Sequence, residues 1–175
     1  MAASKHDSLA TLQQQFKQAM RGFAGAVTVV TVAEGEERSG FTATSVSSFS
    51  AEPPMLVASM KATSSSAGLL QRTRRFGVNL LRVEHQAIAQ RFTGFGGEAG
   101  AARYGSDAWT QFTRDGAPVL ADAVVAMDCE AEELLERHGH ILIIGRVRAV
   151  HVAEQSPPPL LYWQGRYTRL AYASA

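Results

Sequence analysis

The segment from Ser39 to Pro54 carries more hydroxyl side chains than a purely structural strand needs. It reads Ser-Gly-Phe-Thr-Ala-Thr-Ser-Val-Ser-Ser-Phe-Ser-Ala-Glu-Pro-Pro, and the apolar run 55–60 follows at once. Small hydroxyl residues keep bulk away, so the backbone amides of such an extended segment can approach a flat, polar, hydrogen-bonding ligand closely. A cofactor ring is one such ligand. A solvated edge strand is the alternative, because Ser and Thr are also common there.

A second group of hydroxyls opens a predicted short helix. Lys61 is followed after one alanine by Thr63, Ser64, Ser65 and Ser66. Free backbone amides and the helix dipole at such a start favour an anion such as a phosphate group. A plain helix N-cap uses the same residue types, so the residues alone leave both interpretations open.

His138 and His140 form an H-x-H pair of a kind that can bind a metal on a barrel strand, as in cupin-like proteins. Those sites also use a Glu a few residues further on, where this chain has Ile144 and Gly145. No cluster of Asp and Glu compensates, so a metal site is the weaker interpretation and we expect none.

Four other side chains each allow a functional and a structural interpretation. Asn79 could donate to the polar edge of a ring or cap a neighbouring strand. Phe92, Trp163 and Tyr167 could stack on a ring or fill the core. Cys129 is the one cysteine of the chain and lies in an apolar, strand-like run, which favours a small buried hydrophobic residue over a nucleophile.

The glycine-rich stretch 94–99 does not match a dinucleotide-binding motif. It lacks the third glycine at the required spacing and follows a predicted helix, whereas G-x-G-x-x-G must follow a strand. The sequence therefore argues against a Rossmann nucleotide site and favours a mobile flap near a ligand.

Length and composition indicate one ordinary globular domain. From the 175 residues we expect a loose tail over 1–8 and a single domain over 9–175. Charged residues make up 19% of the chain and the net charge is +1, so no basic stripe for a nucleic-acid backbone is evident. One cysteine cannot form an internal disulfide, and no run suggests a secretory signal or a membrane span. We expect a cytoplasmic protein that binds neither nucleic acid nor membrane.

Apolar spacing predicts helices and strands that do not alternate regularly. The first predicted helix begins near residue 7 or 8. Two shorter helices are predicted over 64–71 and 84–92. The predicted strands cover 26–33, 39–48, 55–60, 76–81, 124–133, 141–152 and 166–171. The two long strands are expected to pair antiparallel across a turn at 138–140. Such an order favours an antiparallel barrel over a doubly wound sheet.

The Ser39–Pro54 segment resembles the flavin-contacting strand and loop of the flavin reductase-like family, whose pattern is Gly-x-Thr-x-Ser-x-x-x-Ser-x-x-Pro-Pro. The matching residues are Gly40, Thr42, Ser45 or Thr44, Ser50, Pro53 and Pro54. Further segments that resemble the family in order are 16–20, 26–31, 78–81, 89–92, 116–120, 128–130, 140–147 and 160–170. The resemblance covers nearly the whole chain. It implies a mainly β fold with peripheral helices, a six-stranded antiparallel Greek-key split barrel that is usually a homodimer.

The resemblance also implies an NAD(P)H:flavin oxidoreductase. In that family hydride passes from nicotinamide C4 to flavin N5, and the reduced flavin leaves for a partner monooxygenase. FMN and FAD, NADH and NADPH, and the identity of the partner stay open. A flavin- or heme-binding split-barrel protein without turnover is the alternative, and a cupin-like metal protein comes third.

The resemblance implies specific site residues as well. His140 lies on a family signature, Gly-Asp-His-x-Ile-x-x-Gly-x-Val, in which the histidine lies beside the flavin and nicotinamide rings. The family Asp is Gly139 here and the Gly before it is His138. The loop that begins at Lys61, where the family often has Asn, is expected to hold the flavin phosphate. With His140 as the catalytic residue, the expected cofactor-binding residues are Thr42, Ala43, Thr44, Ser45, Val46, Ser47, Ser48, Ser59, Lys61, Ser64, Ser65, Ser66, Asn79, Phe92, His140 and Tyr167.

Overall fold

The computed structural model describes residues 5–155 and 157–171, and this part of the chain is mainly β. The described residues form three α-helices, α1 (Lys5–Met20), α2 (Ala67–Thr73) and α3 (Gln86–Thr93), and two short 3₁₀ turns at Val83–His85 and Gly100–Tyr104. The strands in the same residues are β1 (Gly25–Ala26), β2 (Thr28–Glu34), β3 (Glu37–Ala43), β4 (Ser47–Ser50), β5 (Met55–Lys61), β6 (Arg75–Leu80), β7 (Trp109–Thr110), β8 (Val119–Leu120), β9 (Val125–Arg137), β10 (His140–Val152), β11 (Leu161–Trp163) and β12 (Arg166–Thr168).

The main sheet has seven strands in the order β3-β2-β6-β9-β10-β5-β4, and every neighbouring pair is antiparallel. Two smaller sheets, β1-β11-β12 and β7-β8, accompany it. The prediction of a mainly β, antiparallel fold is confirmed. The six strands that the family resemblance implies are wrong for this sheet, which has seven because the segment predicted as one strand over 39–48 forms two.

A break after Ala43 divides that segment. The backbone resumes strand geometry at Ser47, and β4 pairs with β5 at the other edge of the sheet from β3. The Ser45 hydroxyl bridges the break, since it donates to the Ser59 carbonyl and accepts from the Ser59 amide, both at 3.1 Å. A side chain thus supplies the pairing that the interrupted backbone cannot make.

The short link between β3 and β4 shows that the sheet curls. From Ala43 to Ser47 the chain can span at most about 14 Å. Seven flat strands spaced by about 4.8 Å would place the two edges roughly 29 Å apart. The link can therefore join opposite edges only if the edges approach each other.

The longest hairpin places the two histidines. β9 and β10 pair antiparallel, as predicted, and the turn residues His138 and Gly139 have φ values of +50° and +74°. Two consecutive left-handed residues match the twist of a tight hairpin. His140 is the first residue of β10 and lies opposite Lys61 of β5, so this turn brings an imidazole and an ammonium side by side.

Other boundaries differ modestly from the predictions. α1 begins at Lys5, inside the segment predicted as a tail, and residues 1–4 lie outside the described part of the chain. α2 begins three residues later than predicted, and the last predicted strand is shorter. β11 was not predicted; it pairs with β12 across the turn at 164–165, whose two residues have positive φ. Within the described residues, no helix has the length and apolar character needed to cross a membrane.

Two buried clusters hold the fold together. One lies along the main sheet around Val30, Leu70 and Phe76, and the other packs α3 against the sheet through Phe92. A Cβ on Gly40 would lie 2.6 Å from the Phe92 ring, so packing alone requires glycine there. Cys129 is fully buried, which confirms the prediction of a small core residue, and burial raises the pKa of its thiol to about 12.

Candidate functional site

A groove of about 1450 Å³ lies where four parts of the fold meet: the end of β3, the end of β5 with the loop after it, α3 with the loop after it, and the turn between β11 and β12. The predicted site residues that line it are Thr42, Ala43, Thr44, Ser59, Lys61, Ser64, Ser65, Phe92, His140 and Tyr167. The fold thus gathers residues from distant parts of the sequence around one open cavity.

The wall formed by β3 offers unpaired backbone. β3 is an edge strand of the sheet, so half of its backbone amides and carbonyls have no strand partner. Thr42 is anchored, because its hydroxyl donates to the Ala89 carbonyl of α3 at 2.6 Å. Thr44 is exposed, and its hydroxyl makes no hydrogen bond within the described residues. This wall can therefore present donors and acceptors to a flat polar ligand.

His140 and Lys61 form a second part of the wall. Both side chains are exposed and line the groove. The His140 Nδ1 lies 3.4 Å from the His138 carbonyl oxygen, and the Ala62 amide donates to the Gly139 carbonyl at 2.9 Å. The turn and the loop after β5 are thereby held together. His138 lies on the exposed turn and does not line the groove.

The hydroxyl side chains of the loop after β5 lie in two different surroundings. Thr63, Ser64 and Ser65 line the groove. Ser66 is fully buried, and its hydroxyl lies 2.9 Å from that of Ser39. The Ser66 side chain does not cap α2, and the Ser66 amide instead donates to the Ser64 hydroxyl at 3.3 Å. The predicted site residue Ser66 therefore supports the loop from behind.

Basic side chains surround the groove. Lys61, Arg91, Arg103 and Arg166 line it, and Glu98 is the one carboxylate among its described lining residues. Arg91 is neutralised by an ion pair with Asp107. The groove therefore keeps a positive balance, which suits an anionic ligand.

Arg103 connects the basic and hydroxyl groups. Its Nη1 donates to the Gly40 carbonyl at 2.6 Å and lies 3.5 Å from the Ser65 hydroxyl, and its Nε donates to the Glu98 carbonyl at 3.0 Å. The sequence reasoning missed this arginine, as it missed Arg91 and Arg166. No local motif links Arg103 to Ser65, since they are 38 positions apart and meet only through the fold.

The aromatic residues differ in how much of each ring is accessible to a ligand in the groove. Phe92 is 1% exposed and packs edge-on against Tyr104 at 5.2 Å, so it belongs mainly to the core. Tyr167 is half-buried and packs edge-on against Tyr162 at 5.3 Å. Burial and then the neighbouring Tyr162 raise the pKa of Tyr167, which keeps its phenol protonated. Trp163 lies outside the groove and donates to the Gly22 carbonyl.

Several predicted site residues lie outside the groove: Ser45, Val46, Ser47, Ser48, Ser66 and Asn79. Asn79 is fully buried; its amide nitrogen donates to the Val29 carbonyl at 3.0 Å and its oxygen accepts from the Leu120 amide at 2.7 Å. These contacts match the strand-capping interpretation. Val46 packs against the core, while Ser47 and Ser48 lie exposed on β4.

The described residues contain no group of three or more His, Cys, Asp and Glu side chains placed to hold a metal ion. The lining carries one histidine and one carboxylate in different parts of the wall. The positive balance and the hydroxyls of the lining suit an anionic, hydrogen-bonding ligand.

Comparison with known proteins gives a consistent match. The model of the flavin reductase like domain matches residues 20–171. The NADH:FMN oxidoreductase of Rhodococcus qingshengii is 33% identical, covering 97% of this chain and 88% of that protein. The reductase component of 4-hydroxyphenylacetate 3-monooxygenase from Thermus thermophilus is 31% identical, covering 93% of this chain and all of that protein. The structure of a Streptomyces globisporus NADH:FAD oxidoreductase with NAD and FAD fragments superposes with a TM-score of 0.81 at 26% identity, covering 91% of this chain and 93% of that one.

Proposed function

We propose a function from one premise: this chain belongs to the flavin reductase-like family. It is an NAD(P)H:flavin oxidoreductase, in which the nicotinamide and flavin cofactors supply the hydride chemistry and the reduced flavin passes to a separate flavin-dependent monooxygenase. The observation that carries this function is the basic, hydroxyl-lined groove, which gathers residues for aligning ligands. A reducing compartment such as the cytoplasm suits the unpaired, buried Cys129.

The groove fits a flavin at two places. The open edge of β3 at Thr42–Thr44 offers backbone groups and a hydroxyl to the polar edge of the isoalloxazine ring. Thr63, Ser64, Ser65 and Arg103 offer hydroxyls and a guanidinium to a phosphate. Arg103 is already held by two carbonyls, so little side-chain freedom is lost when it binds an anion.

His140 is the residue we assign to alignment of the nicotinamide donor. It lies on the groove wall opposite Lys61, and its Nε2 makes no hydrogen bond within the described residues. The imidazole can thus bond a polar atom of the donor or of the flavin. Because hydride transfer depends on the distance between two rings, a residue that fixes one ring raises the rate without transferring a proton.

The N-terminal helix supports a homodimer. Its apolar side chains recur every three or four residues on one face, and all are at least 46% exposed: Leu9, Leu12, Phe16 and Met20. A helix of 16 residues without packing is marginal in water, so this face needs a cover. A second copy of the chain is the cover we propose.

The mass in solution tests the dimer. Light scattering should give about twice 18.8 kDa for the protein. Leu12→Glu should give a mass near that of one chain, whereas Gln14→Glu, an exposed polar position on the same helix, should leave the mass unchanged. A wild-type monomer with full activity would contradict the proposal.

Flavin-dependent NADH oxidation tests the function itself. The purified chain should oxidise NADH or NADPH only when FMN, FAD or riboflavin is added, and the rates of the six nicotinamide and flavin pairings rank its preferences. Reduced flavin should then support turnover by a purified flavin-dependent monooxygenase without physical contact. Flavin binding without nicotinamide oxidation would instead support a carrier protein.

A further inference from the structure

Two side chains of the loop after α3 have an exposure to water that is unusual for their residue types. Phe95 is 96% exposed, although it lies at the wall of the groove. Glu98, on the same loop and the same wall, has a carboxylate oxygen, Oε2, that is buried without any hydrogen-bond partner. An aromatic ring in water and an unpaired carboxylate oxygen out of water are each unfavourable. Both would be relieved by one movement of the loop.

The loop is built to move between two fixed ends. Gly94 and Gly97 have φ values of +77° and +90°, which only glycine adopts easily, and they bracket the exposed ring. The hydrogen bonds of this tip are local: the Phe95 amide donates to the Thr93 hydroxyl, and the Gly97 amide donates to the Gly94 carbonyl.

The part of the loop behind the tip is anchored. Arg103 donates to the Glu98 carbonyl and to the Gly40 carbonyl on β3, so the backbone at Glu98 is tied to the sheet. The Glu98 carboxylate itself presses against Gly96, where no Cβ would fit. Rotation of the tip therefore frees this carboxylate while the anchor stays in place.

We propose that Phe95 is a positioning residue that folds inward onto the flat rings bound in the groove, carried by the tip 95–97. The Glu98 carboxylate then turns to solvent. This inference rests on the proposed function, because it needs a ring in the groove. The occupant is the ligand and not a second copy, since Phe95 lines the groove whereas none of the described residues of α1 does.

The movement would serve the reaction in two ways. When the loop closes, an apolar ring covers the bound pair of rings and excludes water from them. When it opens, the reduced flavin can leave, which a diffusing product requires. The unpaired Glu98 oxygen raises the free energy of the open loop, and a bound ring gives Phe95 a surface to cover, so loop closure is coupled to binding.

Phe95 variants test the closure. Phe95→Ala should release FMN about tenfold faster in stopped-flow displacement, because the covering ring is lost. Phe95→Trp should keep near wild-type release, and its added indole emission should be quenched by FMN. Phe49→Ala is the matched control, since Phe49 is 59% exposed on β4 and does not line the groove.

Glu98→Gln gives a readout that a purely structural role would not produce. Replacing the carboxylate, whose Oε2 is buried and unpaired, should raise the melting temperature of the ligand-free protein and, at the same time, weaken FMN binding roughly threefold, because the open loop is no longer penalised. A residue that only supports the fold would change stability alone, or would change both in the same direction.

The outcomes separate this inference from the proposed function. If wild type and Phe49→Ala bind FMN and oxidise NADH while Phe95→Ala matches them in every rate, the inference is wrong and the proposed function stands. A fall of the Phe95→Ala mass to that of one chain would assign Phe95 to a contact between copies and also overturn it. If wild type itself neither binds flavin nor oxidises NADH, the proposed function fails and takes this inference with it.

Discussion

Neighbouring residues of the same chemical type have opposite surroundings at three places around the groove. Ser65 is exposed at the groove, whereas Ser66 is fully buried against Ser39. Thr44 lines the groove, whereas Ser45 bonds the Ser59 backbone. His140 lines the groove, whereas His138 lies two residues away on the exposed turn. In each pair one member lines the groove and the other lies outside it, against protein or in solvent.

From this difference we infer that ligand affinity and fold stability depend on different members of each pair. The groove-facing side chains make no hydrogen bond shorter than 3.3 Å within the described residues, so their loss should change ligand binding more than folding. A protein-facing hydroxyl completes a bond in the empty protein, so its loss should destabilise the fold and change binding little. Variants of the pairs can therefore confirm or break this division.

Arg103 should give the largest effect, because it places a charge beside the groove-facing Ser65. Arg103→Met removes charge-assisted hydrogen bonds of about 1.5–3 kcal/mol each to a phosphate. We expect FMN affinity to fall by roughly 30- to 100-fold in titrations, and affinity for riboflavin, which has no phosphate, to fall only a few-fold.

Arg114→Met is the control for this charge, since Arg114 is exposed and does not line the groove. It should bind FMN as wild type does. If Arg103→Met lost equal affinity for FMN and riboflavin, the arginine would act through its bonds to Gly40 and Glu98. The assignment of the phosphate to this end of the groove would then be wrong.

The histidine pair should give the next largest effect. His140→Ala should lower kcat/KM for NADH about tenfold at saturating flavin, a loss of roughly 1.4 kcal/mol of alignment, while flavin affinity changes little. His138→Ala should have a smaller effect because its side chain lies outside the groove. Unchanged NADH kinetics in the His140 variant would mean that other groups place the nicotinamide.

The sequence could predict residue types and strand partners more readily than the direction of each side chain. The turn at 138–140 follows from two long apolar runs and a glycine, and it was predicted. The break after Ala43 was not, because it depends on Ser45 reaching Ser59 from a distant strand. Arg103 was missed for the same reason, since its meeting with Ser65 is made by the fold and leaves no local pattern.

The same limit applies to interpretation of single residues. Gly40 matches a flavin-contacting pattern, yet the Phe92 ring already requires glycine there. Asn79 is a polar residue within a strand. Both the nitrogen and the oxygen of its side-chain amide are hydrogen-bonded to neighbouring backbone groups. A polar or small residue in a motif can therefore be fixed by packing, and burial separates the two cases.

The serine pair should separate stability from affinity. Ser66→Ala removes the 2.9 Å contact of the buried Ser39 hydroxyl and leaves it the longer one, 3.3 Å, to the Ser65 hydroxyl. The free energy of unfolding should fall by about 1–2 kcal/mol, with FMN affinity unchanged. Ser65→Ala should lower FMN affinity about fivefold and change the unfolding free energy by less than about 0.5 kcal/mol. Denaturant titration and FMN titration of both variants check this, and a reversed result would contradict the division.

The pair at the break in the sheet should give the smallest effects. Thr44→Val keeps the shape of the side chain and removes only the hydroxyl, so flavin affinity should fall about threefold. The loss should be equal for FMN and riboflavin, because this residue lies at the wall assigned to the ring. Ser45→Ala removes both bonds to Ser59 and should cost about 1 kcal/mol of stability with near wild-type affinity, since exposure to water offsets part of the loss. If Ser45→Ala weakened flavin binding more than Thr44→Val did, the link between β3 and β4 would itself shape the ring site, and the two roles could not be divided between neighbours there.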